Sequence, residues 1–208
     1  MQIAIPIYPG FTATDAIGPY EVLSRLPGAH TVFVASEPGL VRSDTGFLQV
    51  QAAPLSAAMQ PQIVVVPGGP GRSLPLHDMV LLDWLRSIDA TTLWTTSVCT
   101  GALVLGAAGL LRGKRAVTHW QYIDRLASHG AIATAGRYVF DGKTVTAAGV
   151  SAGFDMALAL AARIAGDSLA QAIQLGIEYA PVPPFDAGSP DSAPAEIVAM
   201  VRRAAAGA

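Results

Sequence analysis

The sequence predicts a doubly wound α/β fold, a mostly parallel sheet with helices on both faces. Three observations carry this expectation. Short β-branched runs alternate with amphipathic segments along the whole 208-residue chain, the pattern of strand, crossover and strand. One run, Ile63-Val64-Val65-Val66, is apolar throughout, as a strand covered on both faces must be. The 21 Gly and 15 Pro fall between the apolar segments rather than in tracts, and so read as tight connections. With about 150 residues per domain as a guide, residues 1–208 are expected to form one domain.

The elements follow in order. Ile3 to Tyr8 reads as the first strand. Pro19 to Leu26 reads as the helix after it, because proline is tolerated in a helix's first turn. Thr31 to Ala35 is a second strand, and Ile63 to Val66 a later one. Pro75 to Ile88 is a helix with Val80, Leu81, Trp84, Leu85 and Ile88 on one face at helical spacing. Leu93 to Val98 is a strand, and Thr100 to Leu111 a helix ended by Arg112-Gly113. A short strand is expected at Arg115 to Thr118 and a helix at Gln121 to Ser128. Tyr138-Val139-Phe140 and Thr144-Val145-Thr146 flank Asp141-Gly142, a strong hairpin signal. Ser151 to Ala165 and Ser168 to Tyr179 are two more helices, the second stopped by Ala180-Pro181-Val182-Pro183-Pro184. Ala195 to Ala205 reads as a last surface helix.

Composition narrows the function. A chain 51% hydrophobic and 13% charged is not a disordered one. Thirteen basic and fifteen acidic side chains leave a formal charge of −2 without a block of like charge. That argues against a nucleic acid or an anionic membrane as partner. The opening Met1 to Pro6 lacks the basic and apolar regions of a secretory signal, and Ala102 to Leu111 is too short to span a bilayer. A cytoplasmic protein is expected. The single cysteine, Cys99, excludes an internal disulfide and a Cys-rich metal site. His30, His77, His119 and His129 lack the spacing of a metal motif, so a metal site is not expected.

Ligands of such sheets bind beyond the carboxyl ends of the strands, which singles out three loops: Tyr8 to Gly18, Pro67 to Leu74, and Val98 to Gly101. In the last, Thr96-Ser97-Val98-Cys99-Thr100-Gly101 sets the cysteine at a strand-to-helix turn. A helix N-terminus favours an anion there and lowers a thiol pKa, and Gly101 lets the backbone tighten as at a nucleophile elbow. Free cysteines also serve as small buried hydrophobes, and on these residues alone both readings stand. Pro67-Gly68-Gly69-Pro70-Gly71 gives main-chain N–H groups close access to a bound group, or is an ordinary tight turn. It matches neither a Walker motif nor a dinucleotide fingerprint. Asp15 is expected just outside the first helix, aimed at the same crevice as Cys99, where it could exchange protons. Glu21, just inside that helix, is explained by the helix dipole.

At these loops the sequence resembles the ThiJ/PfpI superfamily, and within it the isocyanide (isonitrile) hydratases. The resemblance runs nearly the whole chain, to about Pro194. It rests on Asp15-Ala16-Ile17-Gly18-Pro19-Tyr20-Glu21-Val22, on Val66-Pro67-Gly68-Gly69-Pro70-Gly71 and on Thr96-Ser97-Val98-Cys99-Thr100-Gly101. Leu103 to Leu111, Thr118-His119-Trp120, Gly149-Val150-Ser151-Ala152-Gly153 and Gln174 to Phe185 add to it. It implies a flavodoxin-like, class I glutamine amidotransferase-like sandwich, usually a homodimer, with Cys99 as nucleophile and Asp15 as its acidic partner. Thr100 would be catalytic, its N–H and hydroxyl orienting the intermediate. Gly68 and Gly69 would supply backbone donors to an isocyanide substrate, Ile17 would line the pocket, and no metal or organic cofactor would be needed. PfpI-type proteases carry a histidine directly after their cysteine, and Thr100 stands there instead, against a Cys–His peptidase. Ile17 departs from the threonine expected two residues after the site aspartate. The same superfamily implies two rivals: a glyoxalase or deglycase acting on small α-oxo-aldehydes, and a non-catalytic ligand or redox sensor.

Overall fold

The computed structural model describes residues 1–206. The chain forms two compact units, Met1–Ile177 and Glu178–Ala208. In the first unit eight strands make one sheet: β1 (Gln2–Pro6), β2 (His30–Ala35), β3 (Gly39–Arg42), β4 (Gln49–Pro54), β5 (Ile63–Val66), β6 (Trp94–Val98), β9 (Tyr138–Asp141) and β10 (Thr144–Ala147). Their spatial order is β3-β4-β2-β1-β5-β6-β10-β9. The two outer strands, β3 and β9, run antiparallel to their neighbours, and the six between are parallel. The first-strand order reverses between β1 and β5, the place where such sheets open a crevice. Every side chain of β5 is buried, so the sheet is covered on both faces there, as its unbroken apolar run requires.

Helix α4 (Ala152–Ala165) packs on both α1 (Ala13–Leu23) and α5 (Asp167–Gly176), while α2 (Met79–Asp89) packs on α3 (Gly101–Ala107). On α2, Leu81, Trp84, Leu85 and Ile88 are buried as the helical spacing predicts, whereas Val80 is exposed. Asp78 caps this helix by accepting from the Leu81 N–H at 3.0 Å. The segment Trp120–His129 is a run of 3-10 turns ended by Gly130 at φ 72°. It lies beside the small parallel pair β7 (Arg115–Ala116) and β8 (Ile132–Ala133). The second unit carries α6 (Ala195–Ala206). No helix among the described residues is long and apolar enough to cross a membrane.

Several elements differ from expectation, the 3-10 run at Trp120–His129 in place of a helix among them. The first helix starts at Ala13, not at Pro19, which lies inside it. A proline there removes the N–H that would bond the Asp15 carbonyl. Packing holds the helix regardless: an added Cβ on Gly153 of α4 would sit 3.3 Å from the Pro19 ring, and one on Gly18 only 3.0 Å from Phe154. Asp15 is therefore in the first turn of α1 rather than in the loop before it, and Glu21 is near the helix's far end, paired with Arg25 at 2.8 Å on the surface. The antiparallel pair β3 and β4 gave no strand signal, because Gly39-Leu40-Val41-Arg42 and Gln49-Val50-Gln51-Ala52-Ala53-Pro54 are short and poor in β-branched residues.

Candidate active site

The site forms where three connections meet at the carboxyl end of the sheet. Cys99 leaves β6 with φ 56°, one of two non-glycine residues on the left-handed side among the described residues. That backbone is costly for a residue with a Cβ and marks a strained elbow. Its surroundings over-determine it. The Cys99 N–H is shared between Ala147 O at 3.1 Å and Ala148 O at 3.0 Å, and its carbonyl accepts from the Thr118 hydroxyl at 2.8 Å. Gly101 makes the elbow possible, since a Cβ there would lie 2.1 Å from Val66 O.

Asp15 faces the elbow from α1. Its side chain is fully buried, and Oδ2 accepts from the Gly68 N–H at 2.9 Å. Oδ1 meets no donor in hydrogen-bonding geometry, yet the Cys99 thiol lies near enough to pull the carboxyl pKa down in part. Gly68 is required at this meeting point: a Cβ would fall 2.5 Å from Thr100 Oγ1 and 2.9 Å from Asp15 Oδ2. Tyr8, buried beside the pair, donates to Pro67 O at 3.0 Å and so pins the glycine turn.

Thr100 and Gly69 bond to each other twice. The Gly69 N–H donates to Thr100 Oγ1 at 2.9 Å, and that hydroxyl donates to Gly69 O at 2.7 Å. A hydroxyl has one proton, so Thr100 has none to give the sulfur through its side chain. Two backbone donors remain near the sulfur, the N–H groups of Thr100 and Val150. Thr100→Val removes both buried bonds and leaves a buried N–H and C=O unpaired. An expected loss of about 2 to 3 kcal/mol is read as a lower Tm, about 4 to 12 °C for a chain of this size, in thermal unfolding.

Electrostatically, the site opposes negative charge more than the sequence suggested. Burial, and then the Asp15 charge, push the Cys99 thiol up to about 12, against the smaller pull of the Val150 and Thr100 donors. Burial likewise raises the Asp15 carboxyl to about 7, opposed by the Gly68 hydrogen bond and the nearby Cys99 thiol and aided by Asp44. The helix N-terminus, expected to lower the thiol pKa, is outweighed by desolvation. The two groups titrate as a pair, whose first proton leaves near neutrality. A carboxyl raised in the folded state stabilises the fold while protonated. Its contribution is full below the ordinary value of 3.8 and lost as pH rises through about 7. Asp15→Asn should therefore gain several degrees of Tm over the parent at pH 8 and lose that gain near pH 4. An equal difference at both pH values would contradict the burial of a charged carboxylate.

The structure brings Cys99, Asp15, Thr100, Gly68 and Gly69 together. Ile17 is half-buried and two residues beyond Asp15 on α1, and such positions do not share a helix face. Three contributors escaped the residue-level reading: Val150, Thr118 and Tyr8. Each acts through a backbone atom or a main-chain acceptor far away in sequence, which leaves no local signal. Among the described residues no cluster of three His, Cys, Asp or Glu side chains is placed to hold a metal. A separate cleft of about 780 Å³, lined by Tyr8, Pro38, Leu40 and Val80 among others, opens elsewhere and is not lined by Cys99 or Asp15.

Residues 1–163 match the model of the DJ-1/PfpI family, which takes in every residue of the site. The chain belongs to the DJ-1/PfpI family. Within the family it is 44% identical to isonitrile hydratase of Pseudomonas putida, over 99% of this chain and 90% of that protein. The crystal structure of a ThiJ/PfpI family protein from Pseudomonas syringae superposes with a TM-score of 0.93 at 39% identity, covering 98% of this chain and 86% of that one. Drosophila melanogaster DJ-1beta, at 22% identity and a TM-score of 0.77 over 86% of this chain and 98% of its own, shares the fold. The DJ-1/PfpI fold is thus the flavodoxin-like α/β sandwich expected from the sequence, with Cys99 at its elbow.

Proposed function

We propose that the chain is an isocyanide hydratase, converting R–N≡C and water to the formamide R–NH–CHO. The observation that carries this reading is the buried Cys99–Asp15 pair at the elbow of a chain so similar, along its whole length, to isonitrile hydratase. In its one-proton state the pair rests as thiol and carboxylate, and passage of that proton from Cys99 Sγ to Asp15 gives a thiolate nucleophile and an acid together. Cys99 Sγ bonds to the terminal carbon while Asp15 delivers the proton to that carbon, giving the thioimidate R–N=CH–S. Asp15, now a carboxylate, takes a proton from water as the oxygen adds to the carbon, and that proton passes to nitrogen. The hydroxyl proton then returns to Asp15 as the C=O forms and the C–S bond breaks, releasing the formamide and the thiolate. One proton remains on the pair, as at the start.

The neighbouring donors divide the remaining work. The Thr100 and Val150 N–H groups steady the sulfur while it is anionic. Gly68 holds the acid through Oδ2, and Gly69 and Thr100 brace one another, so these glycines shape the site rather than bind the substrate directly. An uncharged isocyanide suits a dry site that resists a second negative charge. The reading takes the protein as a cytoplasmic homodimer without nucleic-acid or membrane partners, and light scattering of the purified protein tests the dimer. The catalytic test is direct: purified protein with cyclohexyl isocyanide, formamide followed by mass spectrometry. Formamide in proportion to protein supports the reading, and its absence with both aliphatic and aromatic isocyanides ends it.

One observation favours a glyoxalase as second reading. His119 rests against the turn beside Val150, where a Cβ on Gly149 would lie 2.7 Å from its ring. Burial lowers its pKa, and its Nδ1 accepts from the Gln121 N–H at 3.3 Å, leaving Nε2 protonated. Methylglyoxal turnover without isocyanide turnover would select that reading.

A further inference from the structure

The helix that carries Asp15 is fastened at its first residues to a distant turn. Thr12, the residue before α1, does not cap the helix with its side chain. Its hydroxyl donates instead to Asp44 Oδ2 at 2.8 Å, in the turn between β3 and β4. The same turn holds the loop by its backbone: Asp44 N donates to Phe11 O at 2.9 Å, and Gly10 N to Arg42 O at 2.9 Å. Phe11 and Ser43 form an isolated parallel bridge between the two segments. Asp44 Oδ1 is itself fixed by the Thr45 N–H at 2.8 Å. From Thr12 the connection continues inward. Its N–H donates to Gly68 O at 2.8 Å and its carbonyl accepts from Asp15 N at 3.1 Å, while Gly68 N holds Asp15 Oδ2.

We propose that Asp44, acting through Thr12, is a positioning residue for the Asp15 carboxyl, setting where the acid meets Cys99. Asp44 touches neither substrate nor reacting atoms, and works by latching the start of α1. It is exposed, so a partner that merely filled space would be replaceable there, whereas a carboxylate at the start of a helix also meets the positive end of its dipole. Its charge has a second consequence. The groups facing Asp15 are Cys99 from the elbow, Tyr8 from the β1 loop and Asp44 from the β3–β4 turn. Of these, Asp44 alone presents charge from the solvent side, and it pushes the Asp15 carboxyl upward. The inference rests on Asp15 being the acid in the proposed reaction.

The test compares Asp44→Asn, Asp44→Ala and Thr12→Val with the parent, reading two quantities against pH. One is kcat and KM for cyclohexyl isocyanide, and the other is the rate of Cys99 alkylation by iodoacetamide. Asp44→Asn keeps an acceptor but loses the charge, so both pH midpoints should fall by about a few tenths of a unit, a shift that about 1 M salt abolishes. Asp44→Ala and Thr12→Val break the latch, and kcat should fall about tenfold with KM little changed. Parent midpoints and parent kcat in all three variants would overturn the proposal, as would a loss of Tm with no change in either midpoint. Were the parent itself inactive on isocyanides, the reaction assignment would fail while the alkylation midpoints still decided the role of Asp44.

Discussion

Cys99→Ala protein should lose isocyanide turnover by about a thousandfold or more, because no other group in the site can form the bond to carbon. The substitution removes one small side chain and leaves the elbow's backbone bonds to Ala147, Ala148 and Thr118 untouched. Folding should survive, which circular dichroism checks alongside the assay. Cys99→Gly adds a second readout. At φ 56° a Cβ is unfavourable, so the glycine variant should melt higher than the alanine variant, by about 1 kcal/mol in unfolding free energy. Equal Tm values would mean the elbow stores no strain. Asp15→Asn should lower kcat by about a hundredfold or more, the usual worth of a positioned proton donor, while keeping an oxygen for the Gly68 N–H.

Gly101→Ala is expected to be the most damaging single methyl group in this part of the chain. The added Cβ would lie 2.1 Å from Val66 O and 2.9 Å from Pro67 C and O. These are backbone atoms at the end of a fully buried strand, so no side chain can swing aside. Either the elbow retreats from β5 or the glycine turn opens, and each movement separates Cys99 from Asp15. A loss of about 3 kcal/mol or more follows from forced overpacking, read as a fall in Tm of about 6 to 12 °C, together with near-complete loss of turnover. Gly176→Ala is the matched control. Nothing lies within 4 Å of a Cβ there, and it sits in α5, where alanine is the better helix former. It should leave Tm unchanged or slightly raised.

The parts of the site that could be read from sequence are those whose signal is local. The elbow is visible because a buried strand, a cysteine and a glycine occupy consecutive positions, and the glycine turn because it follows an unbroken apolar run. The hairpin at Asp141-Gly142 and the buried face of α2 are legible for the same reason. Asp15 was assigned to the right crevice but the wrong element, since Pro19 reads as a helix start. The contacts of Pro19 with Gly153 and of Gly18 with Phe154, 134 and 136 residues on, are what permit proline mid-helix. Val150 contributes through its backbone N–H, and Thr118 and Tyr8 donate their hydroxyls to main-chain acceptors 19 and 59 residues away, which leaves no local signal. The thiol pKa was misjudged because a helix N-terminus is a local feature, whereas burial is a property of the whole fold.

The central claim, a covalent bond between Cys99 and the isocyanide carbon, is tested most directly by rapid-quench intact mass spectrometry during turnover. The parent protein should gain the full mass of the isocyanide, localised by peptide mapping to Cys99, and Cys99→Ala should gain none. Formamide accumulating in the parent while Cys99 stays unmodified at every quench time would contradict it.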